Sequence, residues 1–193
     1  PDKWSDFEKK IQNIPADIQQ TFLTYAIDQA NVAREEAPGD ARYPYLLASA
    51  LLQSGQYDKA LSLVNEAISF GEQRQIFYFL RARIYVAQGD KVNAVESAKF
   101  AYELAPQFDS AWIQYARILN VVDKKTLEVE MVQQISDKKF GRVERIILDS
   151  IRQNPDNISG YISLAALYFQ AGEIEKSLVT LDDTILKFPQ AKV

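Results

Sequence analysis

Two stretches of this chain repeat one another at a fixed offset, and nothing else in the sequence constrains the fold as tightly. ARYPYLLASALLQSGQYDKALSLVNEAISFGEQR, from Ala41, can be laid over QIFYFLRARIYVAQGDKVNAVESAKFAYELAPQF, from Gln75, without a gap. Ala48 then falls on Ala82, Gly55 on Gly89, Ala60 on Ala94 and Ala67 on Ala101. A period of this length marks a solenoid, whose units cannot bury an apolar face alone and must stack on a neighbour. Within each unit the apolar residues recur at helical spacing on both sides of a glycine turn, so each reads as a pair of antiparallel helices. Ala48 and Ala82 allow the two helices of a unit to approach closely. Ala60 and Ala94 allow the same against the next unit, where a bulky side chain would wedge the stack apart.

The rest of the chain is read by whether it continues that stack, and a single all-α domain over 1–193 is expected. In residues 1–37, Trp4, Phe7, Ile11 and Ile14 share one helical face up to Pro15, and a second helix follows to about Ala37. Its Ala26 and Ala33 lie one full period before Ala60 and Ala67, in the slot of a second helix. Segments 41–74 and 75–108 are the clean units, and 158–191 is an orthodox last one. Between them, 109–157 breaks the period: the step from Pro106 to Pro155 exceeds the regular step from Pro155 to Pro189 by enough chain for an added helix. Three helices in up-and-down order would invert the last unit. Either Thr126 to Asp137 lies across the stack, or it fuses with the preceding helix into one rod.

The pattern resembles the tetratricopeptide repeat, with its aromatic, small and proline slots. The aromatic slot holds Tyr78, Trp112 and Tyr161, with Pro44 as a departure. The small slot holds Ala48, Ala82, Ala116 and Ala165, and the closing prolines are Pro38, Pro106, Pro155 and Pro189, with Glu72 where another is due. The resemblance implies a right-handed superhelix of helix pairs whose concave side, lined by first helices, holds a peptide or helix of a protein partner. On that side the register places Tyr45, Ser49 and Leu52; Phe79, Arg83 and Val86; Ile113, Arg117 and Asn120; and Ile162, Ala166 and Phe169. Arg83 and Arg117, one repeat apart, form either a short cationic ladder for carboxylates or ordinary solvated or paired arginines. Family members that grip the acidic tails of chaperones use Lys, Asn and Arg here. Tyr45 and Ser49 in the corresponding slots of the first clean repeat, and the apolar Ile76 and Phe79 in the next, make that role unexpected. Tyr78, Tyr85, Tyr115, Tyr161 and Tyr168 are assigned to packing.

A narrower resemblance covers most of the chain from about Ile18. EEAPGDARYPYLLASALLQSGQYDKAL, YELAP, an irregular centre and NPDNISGYISLAALYFQAGEIEKSL together resemble the tetratricopeptide tail of some bacterial membrane proteins of the O-antigen ligase or polymerase type. That likeness implies a non-catalytic accessory domain tethered to a glycan enzyme whose active site lies elsewhere. The start at Pro1 likewise suggests a piece of something longer.

Composition bears on function mainly by exclusion. The chain has no histidine and no cysteine, which removes the commonest general base, thiolate nucleophiles and most metal-ligand sets. No phosphate loop or nucleophile elbow appears, adjacent acids such as Asp182 and Asp183 point apart on a helix, and neither catalysis, a metal nor a cofactor is expected. The 22 basic residues are scattered against 26 acidic ones, so nucleic-acid binding is not expected. No apolar run is long enough for membrane insertion, and a soluble piece is expected. Lys138, Lys139, Arg142 and Arg145 read as a solvated basic turn. Nothing caps the last unit after Pro189, so the face carrying Leu178, Leu181 and Ile185 is expected to drive self-association, visible as concentration-dependent light scattering.

Overall fold

A computed structural model of the chain describes residues 15–190. The helix expected over Asp2 to Asn13 lies outside them. The described residues form ten helices: α1 (Ala16–Glu36), α2 (Arg42–Gln53), α3 (Tyr57–Phe70), α4 (Gln75–Gln88), α5 (Lys91–Glu103), α6 (Asp109–Val122), α7 (Lys124–Ser136), α8 (Phe140–Gln153), α9 (Ile158–Gln170) and α10 (Ile174–Lys187). The architecture is an all-α solenoid of antiparallel helix pairs with an irregular centre.

Local chemistry sets the hairpins. Gly55, Gly89 and Gly172 stand at positive φ after α2, α4 and α9. In each case the next residue's N–H reaches back to a carbonyl of the preceding turn, as in Gln56 to Leu51 at 2.9 Å, Asp90 to Tyr85 at 2.9 Å and Glu173 to Tyr168 at 2.9 Å. This closes the helix end with a left-handed residue and turns the chain by a fixed amount. The repeated alanines carry the packing. Ala48, Ala60, Ala82, Ala94 and Ala116 are completely buried, which lets neighbouring backbones come together with no side chain between them.

Contacts along the array fix the direction of each helix. The Tyr45 and Phe77 rings, both near helix starts, meet at 5.4 Å, so α2 and α4 run the same way. Arg34 and Glu66, both near helix ends, pair at 2.6 Å, so α1 and α3 do too. Asp58 at the start of α3 accepts a bond from Gln88 at the end of α4, as an antiparallel neighbour must.

The centre answers the question that the sequence leaves open. Residues 109–136 are not one rod, because the helix breaks at Asp123, whose backbone (φ −151°, ψ 77°) ends α6 and begins α7. Its carboxylate accepts from the Thr126 N–H at 3.1 Å and hydroxyl at 2.6 Å, and these bonds hold its pKa below the usual carboxylate value. From there α7 returns along α6. Its far end carries Gln134, which meets Arg142 at the start of α8. The α7–α8 turn has the same closing bond, Lys139 N–H to the Gln134 carbonyl at 2.8 Å, with Lys138 in the left-handed slot that glycine fills elsewhere.

A buried arginine then sets α8 beside α6. Arg142 is only 4% exposed. Its guanidinium donates to Asp109 at 2.7 Å, to Gln134 at 3.0 Å and to the Pro106 carbonyl at 3.2 Å. Further along, Arg117 of α6 meets Asp149 of α8 at 2.7 Å. Two ties at matching heights make α6 and α8 parallel. This corrects the reading of Arg142 as a solvated member of a basic turn: a paired, hydrogen-bonded guanidinium tolerates burial where a lone one would not.

Parity follows. Tyr168, late in α9, donates to Glu144, early in α8, at 2.7 Å, so α9 runs antiparallel to α8. Direction counted from α6 therefore puts α9 opposite to α2, α4 and α6: the last hairpin is turned around. It packs closely on α8, since a Cβ on Gly160 would lie 2.8 Å from Ile151 Cγ1. At the ends of the array, α1 exposes Phe22 and Tyr25, and α10 exposes Leu178, Leu181 and Ile185.

Candidate functional site

The face expected to hold a partner is the one made by the first helices of the units. Ser49, Arg83 and Arg117, at one-repeat spacing, lie on a common line of α2, α4 and α6, with Arg83 and Arg117 exposed and Ser49 half-buried. Positions on either side of that line differ from the expected ones. Phe79 is 6% exposed and belongs to the same buried cluster as Trp112 and Tyr115 of α6, which corrects its assignment to partner contact. Tyr45 packs on Phe77, and Ile113 packs against the α4–α6 cluster. Leu52, Val86 and Asn120 are half-buried.

The exposed apolar residues of these helices are instead Leu46 (53% exposed), Ile76 (47%) and Val121 (66%), of which only Ile76 was expected on this face. The signal was faint because α4 reads QIFYFLRARIYVAQ, apolar almost all round. Periodicity alone does not separate the side facing α6 from the side facing solvent. Leu46 stands one position from Tyr45, which took its place in the expectation.

Electrostatics divide the two arginines. Arg117 donates to Asp149 from Nε at 2.9 Å and Nη2 at 2.7 Å, and Asp149 also pairs with Arg152. Among the described residues Arg83 makes no ion pair or hydrogen bond. The cationic character of the face therefore rests on Arg83, while Arg117 is compensated in place. Ile162 and Phe169 are exposed, at 45% and 66%, but belong to the reversed hairpin: α9 touches α8 and α10 and makes no backbone contact with α6. They do not extend the line of Ser49, Arg83 and Arg117, and α8 takes the place beside α6.

The tyrosines divide by burial. Tyr78 and Tyr115 are core, and burial pushes the Tyr115 hydroxyl up to about 12. Tyr85, Tyr161 and Tyr168 are half-buried. Burial first, and then the bond to Glu144, raise the Tyr168 pKa to about 12 as well. Among the described residues no group of three or more acidic side chains is placed to hold a metal ion, and no helix is long and apolar enough to cross a membrane.

This geometry defines an α-solenoid of helical hairpins with an open, mixed apolar and cationic face. Two of its units match the tetratricopeptide-repeat family model, over residues 41–70 and 77–108. Among solved structures, human IFIT1, in its dimer with PPP-AAAA, superposes with a TM-score of 0.57 at 13% identity over 90% of this chain and 45% of that one. TTC0263, a thermophilic TPR protein of Thermus thermophilus, gives 0.50 at 17% identity over 90% of this chain and 87% of that one. At such identities the likeness shows the fold alone. No curated protein matches in sequence.

Proposed function

We propose that the chain is a protein-interaction scaffold, holding a peptide or helix of a partner on the face of α2, α4 and α6. The observation that carries this is Arg83, exposed and without an ion pair or hydrogen bond among the described residues, on helices that also expose Ile76, Leu46 and Val121. Exposed aliphatic side chains on the same helices as an unpaired guanidinium favour a ligand with both an apolar side chain and a carboxylate. Peptide arrays probed with the chain are expected to retain sequences of that kind, and Arg83→Glu or Ile76→Ser to weaken their binding by tenfold or more. Unchanged binding in both variants would place the partner elsewhere. The uncovered Leu178, Leu181 and Ile185 support self-association through α10 under the same reading. In the finer reading, taken from the resemblance to O-antigen ligase tails, the scaffold serves as a non-catalytic domain of a membrane glycan enzyme. Membrane-spanning segments encoded upstream of Pro1 would support it, and a soluble leader there would dismiss it.

A further inference from the structure

The reversal of the last hairpin leaves a cleft that a regular array does not have. Where α6 would meet the first helix of the next unit, it meets α8 instead, and α9 arrives with its N-terminal half toward the end of α6. The gap between them is floored by Leu127 and Met131 of α7 and by Ile146 and Ile147 of α8, and rimmed by hydroxyl and amide groups of Asn120, Ser150, Ser159 and Ser163. Among the described residues no charged side chain lines it. Its volume is about 210 Å³. That is the scale of one side chain, since an apolar cavity of about 150 Å³ accommodates benzene, while whole drug-sized ligands need roughly 300 Å³ or more.

We infer that this cleft is an anchor site for a single aliphatic side chain of an uncharged, extended peptide segment. The floor supplies apolar contact, and three of its four residues, Leu127, Ile146 and Ile147, are buried in the clusters that hold α6 to α9 together, so the pocket is preformed. The rim supplies what the flanking peptide groups need. The side chains of Asn120, Ser150 and Ser163 make no hydrogen bonds among the described residues, and each can serve a backbone N–H or C=O. An ionised side chain would lose its hydration here and meet no opposite charge, so the cleft selects against Asp, Glu, Lys and Arg. It thus takes a different chemistry from the Arg83 face. It rests on the reading of the chain as a peptide-holding scaffold, but the two sites are separated by their variants.

The sequence provides a direct probe, because Met131 is the only methionine in the chain. With methyl-labelled methionine, the NMR spectrum of the full chain contains one methionine signal, from the cleft floor. Titration with acetyl-Ser-Leu-Ser-amide is expected to move that signal saturably at millimolar concentration, with acetyl-Ser-Ala-Ser-amide and acetyl-Ser-Asp-Ser-amide at least tenfold weaker. Ser163→Phe and Ser150→Phe, both at rim positions, are each expected to weaken the response tenfold, whereas Arg83→Glu leaves it intact. No movement with the leucine peptide, equal movement with all three, or an unchanged response in both rim variants would overturn the assignment. So would a Met131 shift that depends on protein concentration alone, which would mean that a second copy of the chain fills the cleft.

Discussion

Trp112→Ala is expected to cost about 3–5 kcal/mol, the range for removing a large aromatic from a core, and to lower Tm by on the order of 10 °C for a chain of this size. Trp112 is completely buried, in one cluster with Tyr78 and Phe79 of α4, Ala98 of α5 and Ile146 of α8. Its indole therefore ties the clean repeats to the irregular centre. Thermal unfolding followed by circular dichroism measures the loss. Trp112→Phe makes an informative partner, because among the described residues the buried indole Nε1 has no hydrogen-bond partner and phenylalanine keeps most of the ring while removing that donor. The Phe variant is expected to lose less than half of what the Ala variant loses. A Trp112→Ala protein as stable as the parent would mean that α6 does not sit in this core.

Arg142→Met is expected to cost about 2–4 kcal/mol, since methionine fills much of the space but leaves buried acceptors without a donor. Gln134, itself 3% exposed, loses the only hydrogen-bond partner its side-chain oxygen has among the described residues, and Asp109 loses its ion pair. The damage should be local. Repeat arrays are held by nearest-neighbour contacts, so α8 to α10 can open while α2 to α5 stay folded. Hydrogen exchange is the appropriate measurement: faster exchange in α8–α10, with protection retained in α2–α5, is the expected pattern. Lys138→Ala and Lys139→Ala, at exposed neighbours in the sequence, are expected to change stability by less than about 0.5 kcal/mol. Uniform loss of protection along the chain, or equal effects of all three substitutions, would contradict the role given to Arg142.

The regular period made the array legible because close helix packing needs small residues at fixed positions, and Ala48, Ala82 and Ala116 are buried as such packing requires. What it concealed were features that periodicity does not encode. The break at Asp123 had no proline or glycine to announce it. It rests on a carboxylate capping Thr126, a signal that an Asp followed three positions later by a hydroxyl does carry, if weakly. The burial of Arg142 had little local signal: Gln134 is near in the chain, but the partners Asp109 and Pro106 belong to the start of α6 and the loop before it, with the whole of α6 and α7 between them and Arg142. Phe79 was misplaced because α4 is apolar on several faces, and only the arrival of α6 decides which face is closed. Arg83 and Arg117 looked alike in sequence. Asp149, brought in by the parallel approach of α8, distinguishes them.

The chain contains no cysteine, so pairs of spin labels can be placed cleanly, and one comparison tests the reversal of the last hairpin directly. Labels on Val121→Cys and Ser159→Cys report the distance from the end of α6 to the start of α9, and labels on Ser110→Cys and Ser159→Cys report the distance from the start of α6. If α7 turns the last hairpin around and opens the cleft, the 121–159 distance is the shorter of the two. If α9 instead runs parallel to α6, as in an uninterrupted stack of repeats, the 110–159 distance is shorter, and both the reversal and the cleft are wrong.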